Sequence, residues 1–305
     1  MKLGFMCGMQ KQGICTIEEI LEEIKNAETL GFDQAWMSQV FSTDAISLLT
    51  IAARETKNIR LGTAVVPSYT KHPTAMALQV LTASAASQGR FDLGLGLSHK
   101  MVIEDMYGIS YAKPARHMRE YLEVLMPLLQ GEPCEFRGEV FSVNARMNVP
   151  DAVTPVPVYI AALGPRMLEI AGTLANGTTT WMTGPVTLEK HTIPKIRQAA
   201  ANAGKPEPEI IAGFPIVLTK DEAGARARIA KSMGIYQHIP SYQKMLEMEG
   251  SRPEQVAMIG DEISLRKQLA HLKDIGVSGF NAFCVPVDDT AIKRTMTFLA
   301  DEWQV

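Results

Sequence analysis

Short apolar or alternating runs exchange with longer amphipathic segments along the whole chain. Alternation with a period of two marks strands and a period near 3.6 marks helices, so the exchange predicts an α/β protein with parallel strands. Eight runs read as strands: "KLGFMCG" from Lys2, "DQAWMSQ" from Asp33, "IRLGTAVV" from Ile59, "FDLGLGLS" from Phe91, "VPVYIAAL" from Val156, "GTTTWMT" from Gly177, "IIAGFPIVL" from Ile210 and "GFNAFCV" from Gly279. Helical patterns cover about 16–31, 43–55, 73–87, 115–129, 165–175, 186–203, 222–233 and 289–302. The first carries its own boundaries: Thr16 followed by Glu19 is a capping box, and Gly31 supplies the terminating glycine.

Eight strand-then-helix units in sequence predict a closed (β/α)8 TIM barrel, with an open doubly wound sheet as the alternative. The rhythm breaks twice. Residues 133–155 read as a β-hairpin with a proline-rich return before strand five, and residues 238–275 hold extra helical material before strand eight. Insertions of this kind build lids or partner surfaces at the C-terminal face of a barrel. With no internal repeat, linker or low-complexity tract, one domain over residues 1–305 is the expected organisation.

Composition narrows the function classes. The chain is 46% hydrophobic and 21% charged, as an ordinary globular protein is. A net charge of -3 with both signs spread along the length leaves no basic stripe for nucleic acid. Cys7, Cys15, Cys134 and Cys284 form no C-x-x-C pair, so neither a zinc site nor a disulfide framework is expected, and reduced thiols of a cytoplasmic protein fit best. The N-terminal apolar run is too short for a signal peptide, and no segment approaches the roughly 18 apolar residues of a membrane span.

Candidate chemistry gathers at strand ends, where catalytic groups of a barrel are found. In "RFDLGLGLSHK" from Arg90, Gly94 and Gly96 fail as a dinucleotide fingerprint, because His99 stands where a third glycine is needed. Glycine within a strand instead marks close approach to the backbone by a packed neighbour or by a flat ligand. The stretch ends in Ser98, His99 and Lys100, and a histidine that titrates near neutrality suits proton transfer. His72, ahead of Pro73, reads as a helix cap, and His117, inside a helix, as a packing or rim residue. In "VYIAALGPRMLEIAG" from Val158, Gly164-Pro165-Arg166 brings together free N–H groups, a helix dipole and a guanidinium. That combination is a phosphate site or a plain tight turn. Small Thr63 and Ala64 at the end of strand three leave room above the backbone.

These stretches, with "GFDQAWMSQ" at strand two, "PARHMREYLEVLMPLLQGE" from Pro114 and "WMTGP" from Trp181, resemble the luciferase-like monooxygenase superfamily and, within it, the coenzyme F420-dependent branch. The resemblance covers nearly the whole chain and weakens between about 235 and 258. It implies a (β/α)8 barrel, a homodimer, and a deazaflavin, F420, or alternatively FMN, at the C-terminal face. It further implies that Ala64-Val65 form a bulge under the cofactor ring, often through a non-proline cis peptide. Val66 and Pro67 follow the ring edge, Leu97, Ser98 and His99 line the ring, and Leu163, Gly164, Pro165, Arg166 and Met167 hold the phosphate. Several members of the branch carry an Asp-His pair at the end of strand two, where this chain has Gln39 and Val40. Gln39 can touch the cofactor by hydrogen bonding but cannot titrate, which leaves His99 as the acid/base candidate. Tyr107, Trp181 and Met182 are candidate cavity walls.

The expected function is hydride exchange between F420 and a small organic substrate, with no metal. Three rivals stand beside it. One is an FMN-dependent monooxygenase and another a non-catalytic cofactor carrier. The third is a metal-dependent lyase or hydrolase, for which only His99, Glu104 and Asp105 come near to a ligand set.

Overall fold

A computed structural model describes residues 1–9 and 14–303. The eight barrel strands are β1 (Lys2–Cys7), β2 (Gln34–Met37), β3 (Arg60–Thr63), β4 (Phe91–Gly96), β5 (Val158–Ile160), β6 (Gly177–Trp181), β7 (Glu209–Leu218) and β8 (Gly279–Cys284). All neighbours pair in parallel, and β6 pairs with β7 while β8 pairs with both β7 and β1, which closes a (β/α)8 barrel. The helices that follow strands are α1 (Ile17–Thr29), α2 (Ala45–Glu55), α3 (Pro73–Ser87), α4 (Pro114–Leu129), α5 (Pro165–Leu174), α6 (Ile193–Asn202), α7 (Glu262–Asp274) and α8 (Ala291–Trp303). Thr16 and Glu19 form the expected capping box on α1. His72 caps α3 by accepting the Thr74 N–H at Nδ1.

The main core lies between the strands and the helices, around fully buried residues such as Leu3, Leu49, Leu95 and Tyr121. A second apolar cluster, Trp36, Tyr159, Ile211 and Ala64, fills the barrel interior. Below it the N-terminal end is closed by charge. Asp92, buried, accepts from Arg60 Nε at 2.9 Å and Nη2 at 2.5 Å and from Gln34 Nε2 at 3.1 Å. Glu209 accepts from Lys2 Nζ at 3.0 Å and from the Tyr159 hydroxyl at 3.2 Å. Bidentate arginine–carboxylate pairing of this kind fixes geometry as well as charge.

Strand three breaks at Ala64-Val65, and the chain resumes pairing at Val66–Pro67 beside Leu95 and Gly96 of β4. The hairpin expected after residue 133 forms from Cys134–Arg137 and Ser142–Ala145, antiparallel with Phe136 opposite Val143. Its turn climbs beside α4, where the Glu120 carboxylate accepts the N–H groups of Glu139, Val140 and Phe141. The second break differs from the pattern in the sequence. Helices Glu222–Met233, Pro240–Glu249 and Pro253–Val256 precede an unforeseen strand, Met258–Gly260, which pairs only with Ile216, Val217 and Leu218 at the far end of β7. The extra material therefore begins right after β7 and stays at the C-terminal end. The helix at 262–274, read from sequence as part of the insertion, is α7, the crossover that returns the chain to the base for β8.

Candidate active site

The C-terminal mouth collects the residues that the sequence singles out. The Ala64–Val65 peptide is cis, and the bulge it forms is tied down from two sides. The Ala64 N–H donates to the Met37 carbonyl at 2.8 Å, and the Ser38 hydroxyl donates to the Ala64 carbonyl at 2.5 Å. The two glycines of β4 serve this bulge. A Cβ on Gly94 would fall on the Thr63 carbonyl oxygen, and one on Gly96 would fall on the Val65 side chain. The close approach read from these glycines is thus by a packed neighbour, and any ligand meets the bulge rather than their backbone. Val66 is fully buried in the core and offers no surface to the mouth, while Ala64, Val65 and Pro67 are half-buried.

Leu97, Ser98 and His99 follow β4, all half-buried. Ser98 holds a φ of 58°, a region that non-glycine residues seldom adopt, and such residues gather at functional sites. Its carbonyl accepts the Tyr111 hydroxyl at 3.3 Å. The His99 imidazole has no hydrogen-bond partner among the described residues, and burial lowers its pKa below the ordinary histidine value. Gln39 is committed in part: its Oε1 accepts the Ala45 N–H of α2 at 3.3 Å, which leaves its amide NH2 as the free donor. Glu104 accepts the Tyr111 N–H and pairs with Lys100, so it does not converge with His99 and Asp105.

Beyond the neighbouring strand β5, α5 begins at Gly164 with an extended backbone and no side-chain cap. The first N–H groups of a helix lack intrahelical acceptors, and here no protein group among the described residues replaces them. A Cβ on Gly164 would meet nothing within 4 Å, so the space before the helix is open. Pro165 and Arg166 are exposed, Leu163 and Met167 half-buried. Arg166 has no ion pair or hydrogen bond among the described residues. The Leu163 carbonyl is held by His191 Nε2 at 2.9 Å, which fixes the turn from behind.

Trp181 stands half-buried at the end of β6 and contacts Phe283 of β8, ring centroids 5.9 Å apart. Met182 is fully buried, and Tyr107 is 42% exposed at the end of a π-helical turn, so neither lines the mouth as Trp181 does. Two wall residues escape the sequence reading: Tyr242 contacts His99 and Tyr236 contacts Trp181, both carried by the segment after β7. Deeper in the barrel, the buried Asn281 amide has neither its oxygen nor its nitrogen paired, and the Trp36 Nε1–H is also unmet. Buried polar groups rarely go unpaired, so the interior presents a demand for hydrogen bonds.

A barrel with a bulged third strand, an uncapped helix after the fifth and an aromatic mouth defines a class. The luciferase-like monooxygenase family model matches residues 1–287, and the chain belongs to that family. It is 30% identical to 5,10-methylenetetrahydromethanopterin reductase of Methanopyrus kandleri over 267 residues, covering 80% of this chain and 75% of the relative. Its match to the enzyme of the same name in Archaeoglobus fulgidus is 35% identical over 156 residues, half of this chain and 46% of that one, so the chain spans less than half the length of that relative. The solved structure of coenzyme F420 dependent tetrahydromethanopterin reductase from Methanopyrus kandleri superposes with a TM-score of 0.77 at 23% identity, over 99% of this chain and 97% of that chain. Among the described residues no helix is long and apolar enough to cross a membrane.

Proposed function

We propose that this protein is an F420-dependent oxidoreductase that exchanges a hydride between the deazaflavin and a small organic substrate at the C-terminal mouth. The observation that carries the proposal is the open, uncapped start of α5 at Gly164 with unpaired Arg166, on the opposite side of β4 from the Ala64-Val65 bulge. A flat heterocycle with a phosphate-bearing side chain suits that arrangement. The bulge and Leu97-Ser98-His99 bear on the ring, and the α5 N–H groups with Arg166 meet the phosphate. The described relatives whose names specify tetrahydromethanopterin reduction include a coenzyme F420 dependent one, which favours the deazaflavin over FMN.

When bound, the deazaflavin supplies the hydride chemistry. The chain's own residues do the rest. Gln39 donates a hydrogen bond through its free NH2, oriented by Ala45, but carries no titratable proton. His99 is the proton-transfer group. With its pKa lowered by burial, the imidazole is largely neutral at pH 7 and ready to accept a proton from a substrate hydroxyl during oxidation. Oxidation rates should accordingly hold above about pH 6.5 and fall as the imidazole is protonated below it. Exposed Ile51 and Leu78 on the neighbouring helices α2 and α3 are residues a second copy would cover, consistent with a cytoplasmic homodimer.

Titration of the purified protein with F420 and with FMN tests the reading. Saturable F420 binding is expected, and tight FMN binding without F420 affinity would overturn it. His99→Ala should lower turnover at saturating F420 by more than any loss of F420 affinity explains, and unchanged turnover would remove His99 from proton transfer.

A further inference from the structure

The segment after β7 does more than extend the barrel. Its 3-10 turn Gly234–His238 and helix Pro240–Glu249 cross the mouth and deliver two tyrosines into a continuous series of rings. Starting at the end of β4, His99 contacts Tyr242 at 6.0 Å between centroids and 59° between planes, and Tyr242 contacts Tyr236 at 4.8 Å and 77°. Tyr236 then meets Trp181 of β6 at 6.3 Å and 64°, and Trp181 meets Phe283 of β8 at 5.9 Å and 72°. These are the tilted and edge-to-face geometries in which aromatic groups attract one another.

The series is held from outside the mouth. Glu249, the last residue of the helix, accepts the N–H groups of Val186 at 3.2 Å and Thr187 at 2.7 Å, in the turn that follows "WMTGP". The Thr187 hydroxyl donates to the Met245 carbonyl at 3.2 Å. The helix ends at Gly250 with a φ of 68°. Glu249 thus caps the turn after β6 and fixes the tyrosines without entering the wall itself.

We infer that Tyr236 and Tyr242 determine substrate choice, forming with His99 and Trp181 a wall that selects uncharged, planar conjugated molecules. The inference rests on the assignment of the mouth as the reaction site. Charge is disfavoured there on independent grounds. The Tyr242 phenol is raised well above its ordinary pKa, first by burial and then by neighbouring Tyr236, and His99 is lowered by burial alone. No carboxylate, lysine or arginine contributes to either shift. A charged substrate would enter this space without a partner, and burying an unpaired charge costs more than stacking returns. Of the nearby cations, Lys100 pairs with Glu104, and Arg166 belongs to the α5 start that follows the neighbouring strand β5.

Equilibrium dialysis with two bicyclic probes, uncharged menadione and anionic naphthalene-2-sulfonate, tests the inference, run on the protein with and without saturating F420. Menadione should bind at least about tenfold more tightly than the sulfonate, and Tyr242→Ala and Tyr236→Ala should each weaken it about tenfold, the scale of a lost aromatic contact with its buried area. Tyr242→Phe, which keeps the ring, should stay within about twofold, and F420 affinity should be unchanged in all three variants. Equal affinity for the two probes, no menadione binding, unaltered binding in both alanine variants, or a Tyr242→Phe loss as large as that of Tyr242→Ala would each overturn it. Failure of F420 to bind would instead defeat the cofactor assignment, and the menadione measurements on the free protein would still decide the wall.

Discussion

The two ends of the barrel solve opposite problems with the same strands. At the N-terminal end, charges converge and are matched: Asp92 with Arg60 and Gln34, Glu209 with Lys2 and Tyr159. At the C-terminal end, the groups facing the mouth are left unmatched. The His99 imidazole, the Arg166 guanidinium, the first N–H groups of α5 and the free NH2 of Gln39 have no protein partners among the described residues. A polar group without a partner adds nothing to folding, and a polar group within a complete network has no capacity left for a ligand. The difference assigns stability to the base and recognition to the mouth, in keeping with the division of labour in barrels generally.

The largest effect expected from breaking this contrast is at the base. Asp92→Ala strands a half-buried Arg60 and should destabilise the protein by about 3 kcal/mol, the scale for removing one partner of a buried pair. Urea unfolding reads that loss, and F420 affinity should be unchanged. Gly96→Ala acts on both functions at once, because its new Cβ meets Val65 of the bulge. Overpacking of this kind should cost about 1–3 kcal/mol, and the displaced bulge should weaken F420 binding in the same titration. If stability falls while affinity holds, the bulge does not support the cofactor.

A smaller effect comes from the rim beside the mouth. His117 is buried, stacked on Tyr69 with centroids 3.8 Å apart and bonded to the Ser68 hydroxyl at 3.0 Å, and burial lowers its pKa to about 4. An unfolded chain would take up that proton near pH 6.5. Stability from neutral His117 is therefore complete above about pH 6.5 and is lost as the pH falls towards 4. Midpoints of unfolding measured across that window should decline in the wild type and flatten in His117→Phe.

The sequence makes some of this legible and hides the rest for physical reasons. Short apolar or alternating runs reveal all eight barrel strands because strands of a parallel barrel are buried on both faces, and the caps at Thr16 and His72 are readable because a cap involves residues two or three apart. The uncapped start of α5 is legible on the same grounds. The roles of Gly94 and Gly96 are not, since their partners, Thr63 and Val65, are 31 residues away and become neighbours only when the strands pair. Tyr236 and Tyr242 stay hidden because they lie in a 3-10 turn and a short helix whose patterns say nothing of where the segment docks. The docking is specified instead by Glu249 reaching N–H groups about 60 residues earlier in sequence, a contact between backbone and carboxylate that leaves no periodic trace. Met258–Gly260 is missed because its short apolar run lies between the helical patterns of Pro253–Val256 and α7.

The most direct test of the division between the ends is the F420 dissociation constant of Arg166→Ala beside that of the wild type. Arg166 is exposed and unpaired, so unfolding should shift by no more than about 0.5 kcal/mol, while loss of a charge-assisted phosphate contact should weaken F420 about tenfold. Unchanged F420 affinity in a normally stable Arg166→Ala protein would contradict the account.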